Sequence, residues 1–206
     1  ITRLFGTVNA NTWTFTYDPT FNRQTSATDP SNHTTTFQYD YLGNLVSSTD
    51  ALGHVTSITY NSAGQIKTVT RTIGGNPRTV TLDYTAGVLS SVTDARNRTT
   101  TFFTDSLGRT TAVKNPRGDV SQMIYDVMDR LVQSIDPVGN TLQYTYDANG
   151  NVSTFSDARD NDTTFTYDTR NRLATVTDPL SLVEAYEYSA TGLPTRAIVN
   201  RTKRSP

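Results

Sequence analysis

The feature that most constrains this chain is a repeat of about 21 residues. An aromatic or aliphatic residue, any residue, then Tyr recurs at Phe15/Tyr17, Phe37/Tyr39, Ile58/Tyr60, Leu82/Tyr84, Met123/Tyr125, Tyr144/Tyr146, Phe165/Tyr167 and Tyr186/Tyr188. Phe102/Thr104 is the one copy without its Tyr, which makes nine copies with steps of 22, 21, 24, 20, 21, 21, 21 and 21 residues. A period of this size decides the architecture before any residue is given a role, because a unit this short cannot bury a face alone and must stack on its neighbours.

Two turns can be placed in each copy. The first falls four residues after the Tyr, at Gly43, Gly64, Gly108, Gly150 and Gly192, with Asp129 and Asn171 in the same place. Gly87 comes one residue early and Asn22 one late. These residue types share tolerance of positive φ, which a tight hairpin turn demands. The second turn follows Asp29, Asp50, Asp94, Asn115, Asp136, Asp157 or Asp178, and three residues on stand Asn32, Gly53, Asn97, Gly118, Gly139, Asp160 and Ser181. Only Ser181 breaks the residue-type rule. Pro30, Pro116, Pro137 and Pro179 preset φ at the second turn position.

Between the turns lie runs of about five or six residues, the usual size of a strand. The Tyr-bearing run alternates, as in Phe165-Thr166-Tyr167, so one face is apolar and the other carries hydroxyls. In its partner run Leu45/Ser48, Ile66/Val69, Leu89/Val92, Val152/Phe155 and Leu173/Val176 are spaced by three. Either a bulge in each copy or a strand half-covered on both faces reconciles that spacing. The longer third copy places its extra residues at Gly74-Gly-Asn-Pro77, where an insertion lengthens a surface loop.

Composition agrees. The chain has 39 Thr, 11 Tyr and 8 Phe against two Glu and three Lys, which suits pleated strands and disfavours helices. The predicted fold is all-β: about nine ~21-residue β-hairpin repeats in a curled antiparallel strip of some eighteen strands. The length suffices to bury a core. The organisation reads as a lead-in over 1–12, the hairpin array over 13–199 and a basic tail over 200–206. Neither end carries a cap, so the expectation is a segment of something longer whose bare edges self-associate.

A net charge of −1 and a pI near 6.1 give no nucleic-acid footprint. No run approaches a membrane span, and Ile1-Thr-Arg-Leu4 is not an export signal. The absence of Cys excludes disulfides and thiolate-bound metal.

The pattern Tyr-Asp-x-x-Gly-x-Leu followed by Asp-Pro-x-Gly-Asn resembles the Rhs/YD-repeat proteins. It stands here as Tyr39-Asp-Tyr-Leu-Gly-Asn-Leu45, Tyr146-Asp-Ala-Asn-Gly-Asn-Val152 and Asp136-Pro-Val-Gly-Asn140. The Tyr-Asp pair is intact with Asp18, Asp40, Asp126, Asp147 and Asp168, and departs at Tyr60-Asn61, Tyr84-Thr85, Thr104-Asp105 and Tyr188-Ser189. The resemblance covers roughly residues 13–199. It implies hairpins spiralling into a hollow shell that encloses a C-terminal toxin polypeptide in bacterial members, or a barrel supporting adhesion outside the cell in teneurin-like ones. Further YD repeats of the same longer chain, an enclosed toxin or a cell-surface ligand, and a secreted or cell-surface location are the implied partners and place. The bacterial core is closed by a self-cleaving Asp-Pro-x-Gly-Leu stretch; Asp136-Pro-Val-Gly139 is followed by Asn140 and three more repeats, so it reads as an ordinary second turn.

No catalytic, cofactor-binding or metal-binding residue is expected. Seventeen Asp invite a glycosidase reading, but most stand at strand ends, where Asp bonds to turn amides. Asp157-Ala-Arg-Asp-Asn-Asp162 is dense in acid yet lacks the Gly and closing Glu of a calcium loop. His33 and His54 occupy equivalent second-turn places without an obvious third ligand. The Tyr/Phe stripe reads as a packing ladder in preference to a sugar-stacking platform. Asn-x-Ser/Thr sequons at Asn32, Asn97, Asn151, Asn161 and Asn200 carry little information in so Thr-rich a chain. The expected function is a non-enzymatic scaffold. Its alternatives are an extracellular carbohydrate- or cell-surface-binding module and, behind it, an Asp-based glycoside hydrolase.

Overall fold

A computed structural model describes residues 12–200. Most of the predicted lead-in and tail, and the side chains of Val199 and Asn200, therefore lie outside the described residues. The described chain is all-β, with eighteen strands and no helix. It divides into two compact units, with the division between Phe102 and Phe103. The first holds β1 (Thr14–Tyr17), β2 (Gln24–Thr28), β3 (Thr34–Tyr39), β4 (Leu45–Thr49), β5 (Val55–Tyr60), β6 (Ile66–Ile73), β7 (Asn76–Thr85) and β8 (Val88–Thr93), and β9 (Thr99–Thr104) runs across the division. The second holds β10 (Thr110–Lys114), β11 (Val120–Tyr125), β12 (Leu131–Ile135), β13 (Thr141–Tyr146), β14 (Val152–Ser156), β15 (Asp162–Tyr167), β16 (Leu173–Thr177), β17 (Val183–Tyr188) and β18 (Pro194–Asn200).

Within each unit every strand pairs antiparallel with the next in sequence, β1 through β9 in one and β10 through β18 in the other. The predicted turn residues all fall where positive φ is required, from Asn22 at 53° to Gly118 at 97°. Ser181 adopts 64° like the Asn and Gly of its equivalents, so geometry holds there although the residue type does not. Both turns of a copy are built alike. The amide of Gly43 donates to Asp40 O at 3.1 Å and the amide of Asp40 to Asn44 O at 2.9 Å, and Gly53 and His54 do the same around Asp50. This is the three-residue hairpin loop in which the last residue is left-handed.

A valine at position 150 is expected to destabilise the chain by about 1–3 kcal/mol through forced positive φ alone. Gly150 has φ +87 and no atom within 4 Å of where a Cβ would stand. At Gly43 (φ +95) the same Cβ meets Arg23 Nη1 at 3.2 Å, so Gly43→Val should lose more. Thermal melts of the two variants check the order, and an unchanged midpoint for Gly150→Val would remove the turn assignment.

The bulge and the two-sided strand both occur: the partner strands β2, β4, β8, β12, β14 and β16 are half-covered at every position, and each carries a bulge. In β15–β16, Phe165 faces Val176 and Thr166 faces Thr175, but Tyr167 faces Leu173, so Ala174 is extra. The same shift occurs in all eight registered hairpins of this kind. One extra residue converts the spacing of three in the partner strand into a shared face with Phe165 and Tyr167.

Two expectations are corrected. No described residue is buried: the strands are half-exposed and no apolar core forms. A run of consecutive hairpins that pair only with their neighbours is one layer, so a sequence whose apolar residues are spread at period two never collects them into a centre. The insertion at Gly74–Pro77 does not lengthen a loop either. It closes in a two-residue turn, with Gly74 at φ 57° and Gly75 at φ 78°, and adds the pairs Arg71↔Arg78, Thr72↔Pro77 and Ile73↔Asn76 to the ladder. Two successive positive-φ residues match the twist of a hairpin, which lets the strands extend to the tip.

Candidate functional site

The seam between hairpins is where the repeated side chains meet. Hairpin ladders extend to the Tyr, but most ladders joining one hairpin to the next hold three pairs, such as Thr175↔Ala185, Val176↔Glu184 and Thr177↔Val183. The bulge turns Leu173 out of that inter-hairpin ladder. Its carbonyl receives the Tyr188 hydroxyl instead, at 2.9 Å. The same bond joins Tyr39 to Gln24 O, Tyr60 to Leu45 O, Tyr84 to Ile66 O, Tyr125 to Thr110 O, Tyr146 to Leu131 O and Tyr167 to Val152 O, at 2.6–3.0 Å. A backbone acceptor freed by a bulge needs a partner, and a phenol one repeat on supplies it. Packing alone, as expected from the sequence, would be satisfied by Phe.

The Asp after that Tyr organises the turn. Asp168 Oδ1 accepts from the amides of Arg170 and Arg172 at 2.8 and 3.0 Å, and Oδ2 from Arg172 Nε at 2.7 Å. Twelve of the seventeen Asp open turns in this way, among them Asp18, Asp40, Asp126, Asp136 and Asp147. Asp83 and Asp162 stand in strands instead, bonded to Ser91 Oγ and Ser156 Oγ. The side-chain bond from Arg172, then the backbone bonds, hold the Asp168 carboxyl down at about 2, and Arg98 does the same for Asp94.

The residue four places after the turn-opening Asp links one repeat to the next. Arg172 pairs with Asp168 and lies over the Tyr188 ring at 4.4 Å. Arg109 and Arg130 lie likewise over Tyr125 and Tyr146, at 5.0 and 4.4 Å, and Arg23, five places after Asp18 in a turn one residue longer, lies over Tyr39 at 5.4 Å. Arg109 Nη1 also bonds Asp129 Oδ1 at 2.7 Å, in the next first turn. At Arg172 the equivalent place is Gly192, and Arg172 Nη1 is the one buried side-chain polar atom without a partner among the described residues. Sequence reasoning missed these arginines, although Arg, Asn, Gln or His fills that place in most copies.

His33 and His54 belong to the same rule. Their Nδ1 atoms meet Asp29 Oδ2 and Asp50 Oδ2 at 2.9 and 2.8 Å, where arginine stands elsewhere. Among the described residues no group of three or more His, Cys, Asp or Glu is placed to hold a metal ion. In the acidic stretch, Asp157 caps its turn through Arg159 and Asn161. Asp160 is the left-handed residue at φ 58°. Asn151 and Asn161 spend their side chains on Asp147 and Asp157. Asp136-Pro-Val-Gly139 forms an ordinary second turn, with Gly139 N bonded to Asp136 O.

The faces also divide as read. Thr166–Thr175, Thr59–Thr68 and Thr70–Thr79 form cross-strand hydroxyl pairs at 2.6–2.8 Å on the face away from the aromatic residues. No described helix is long and apolar enough to cross a membrane.

This geometry can be set beside known proteins. No curated protein matches the chain. The crystal structure of TcdB2-TccC3-TEV aligns with TM-score 0.55 at 12% identity, over 93% of this chain and 14% of that one. TcdB2-TccC3 aligns with TM-score 0.52 at 14% identity, over 97% and 15%. The Tc holotoxin pore of Photorhabdus luminescens gives 0.51 at 13%, over 93% and 14%. At such identities the likeness is one of fold, and this chain spans only about a seventh of their length. The RHS Repeat family model matches residues 20–55, 39–76, 105–141, 129–162, 146–182 and 167–203. Those six stretches cover most of the sequence, and the chain belongs to the RHS-repeat family.

Proposed function

We propose that this chain is a non-enzymatic segment of wall in a larger RHS-repeat shell, which encloses or displays another polypeptide of toxin type outside the producing cell. The observation that carries this reading is the seam. The hydroxyl and carboxylate groups that could offer chemistry are largely spent on the fold: seven Tyr hydroxyls on carbonyls of the preceding repeat and twelve Asp carboxylates on amides of their turns. A wall needs many equivalent joints, whereas a hydrolase needs two carboxylates left unbonded toward a cleft. The glycan-binding alternative rests on the half-exposed aromatic face and predicts specific retention on a glycan array.

The test is a chimera. Residues 13–199 replace the aligned stretch of the TcdB2-TccC3 polypeptide, and protease digestion follows the fate of the chain's C-terminal portion. Protection equal to the parent supports a wall segment; a folded chimera whose C-terminal portion is digested at the free-chain rate rejects it.

A further inference from the structure

The longest hairpin carries charge that the fold does not use. Arg71 on β6 and Arg78 on β7 stand directly opposite each other in the ladder. Like charges in that relation oppose pairing. Both residues are exposed, and neither makes an ion pair, hydrogen bond or ring contact among the described residues, whereas Arg98, Arg109, Arg130 and Arg172 all have carboxylates. The strand on the other side offers only Thr56 beside Arg71. Asp94, which closes β8 at the same rim, is taken by Arg98, and Arg96 in that turn adds a third cation with no ion pair.

The two arginines share their face with apolar residues. Val69 pairs with Val80 two residues along, and Ile73, 40% exposed, lies two residues toward the tip. A projecting ladder with paired guanidinium groups set among valine and isoleucine fits a ligand that alternates carboxylate and apolar groups. Arginine presents a planar fork that matches a carboxylate bidentately. Three cations on a chain of net charge −1 are too few for a nucleic acid or sulfated glycan, whose binding depends on neutralising many charges at once.

We propose that the tip of the β6–β7 hairpin is a docking surface for an acidic, extended polypeptide segment. One partner carboxylate lies between Arg71 and Arg78, and the alternate apolar side chains of the segment lie on Val69, Val80 and Ile73. This assignment stands apart from the shell reading and does not need it.

The probe is a fluorescein-labelled Glu-Val-Glu-Val-Glu peptide, followed by anisotropy at low salt, with its Gln-for-Glu analogue. The native chain should bind the acidic peptide, and Arg71→Gln/Arg78→Gln should bind it at least about 10-fold more weakly. The same double variant should melt roughly 1–3 °C higher, because the opposed charges are gone. Weaker binding with higher stability is a pairing that a structural role cannot produce. No binding by the native chain, equal binding by the double variant, or a double variant that melts lower would each overturn the proposal. So would displacement of the peptide by a heparin oligosaccharide or inorganic phosphate at lower concentration than by unlabelled peptide.

Discussion

Tyr146→Phe is expected to cost about 1–2 kcal/mol of unfolding free energy, and Tyr146→Ala about 3 kcal/mol. The Phe variant removes one atom. The hydroxyl of Tyr146 donates to Leu131 O at 2.6 Å, and that carbonyl lies at a bulge where the neighbouring ladder has already stopped. Losing the donor leaves a half-buried acceptor unpaired, which costs more than the bond contributes net. The ring remains in the Phe variant, so Arg130, 4.4 Å from its centre, keeps its platform. In the Ala variant the ring goes too, with its apolar contacts and the cation–π interaction. Tyr144 is the control. It stands two residues away on the same strand and packs on Phe155 at 5.4 Å, with no hydrogen bond from its hydroxyl among the described residues. Tyr144→Phe should change stability by a few tenths of a kcal/mol. Urea titration followed by circular dichroism separates the three variants. A Tyr146→Phe curve that overlays the Tyr144→Phe curve would leave the ring, and not the hydroxyl, as the joint. Because hairpins touch only their neighbours, amide exchange in Tyr146→Phe should rise first in β12 and β13.

This joint shows where sequence reading stops. The turns were legible because positive φ selects residue types: Gly43, Asn171 and Asp129 advertise their backbone by what they are. Strand alternation was legible for the same reason, since Phe165, Thr166 and Tyr167 differ by face. The spacing of three in Leu173/Val176 left a bulge and a strand half-covered on both faces open, and could not locate the extra residue, which the register puts at Ala174. The Tyr hydroxyl had no such signal, because its partner is a backbone carbonyl fifteen residues upstream and carbonyls have no residue type. A hint was present in that Tyr fills its place in eight of nine copies while the place two before it takes Phe, Ile, Leu, Met or Tyr. Arg109, Arg130 and Arg172 were visible at a fixed place after their Asp, but i,i+4 spacing suggests a helix pair. Here it closes a turn. The missing core follows from pairing order, which composition does not reveal.

The second large effect is on acid stability: the melting midpoint should stay nearly level from pH 7 to about pH 4 and then fall steeply toward pH 2. The turn-opening carboxyls are the cause. Asp94 and Asp168 are held at about 2 by the side-chain bonds from Arg98 and Arg172, then by backbone amides. Asp40, Asp136, Asp147 and Asp157 are lowered chiefly by the Asn four residues on, and Asp105 by Arg109. Asp18 is lowered chiefly by the Phe21 amide, and Asp29, Asp50 and Asp126 by the amides of His33, His54 and Arg130. In the unfolded chain these groups return to the ordinary value of 3.8. Between the two values the unfolded state binds more protons than the folded state, so stability falls as pH falls. Well above 3.8 both states are ionised and the full contribution is present; it is lost as pH falls through the folded values, which for Asp94 and Asp168 lie at about 2. The repeat multiplies one weak site. Each exposed turn contributes little, but twelve turns open with an Asp, and those whose carboxyls are lowered lose their caps together as pH falls below the ordinary carboxylate range. Melts followed by circular dichroism at half-unit steps in pH measure the effect. A midpoint that does not move between pH 4 and pH 2 would mean that the carboxyls decorate the turns without holding them. Asp168→Asn refines the result. Asn keeps an oxygen for the turn amides but loses the charge that Arg172 grips, so this variant should start lower at pH 7 and lose less on the way to pH 2.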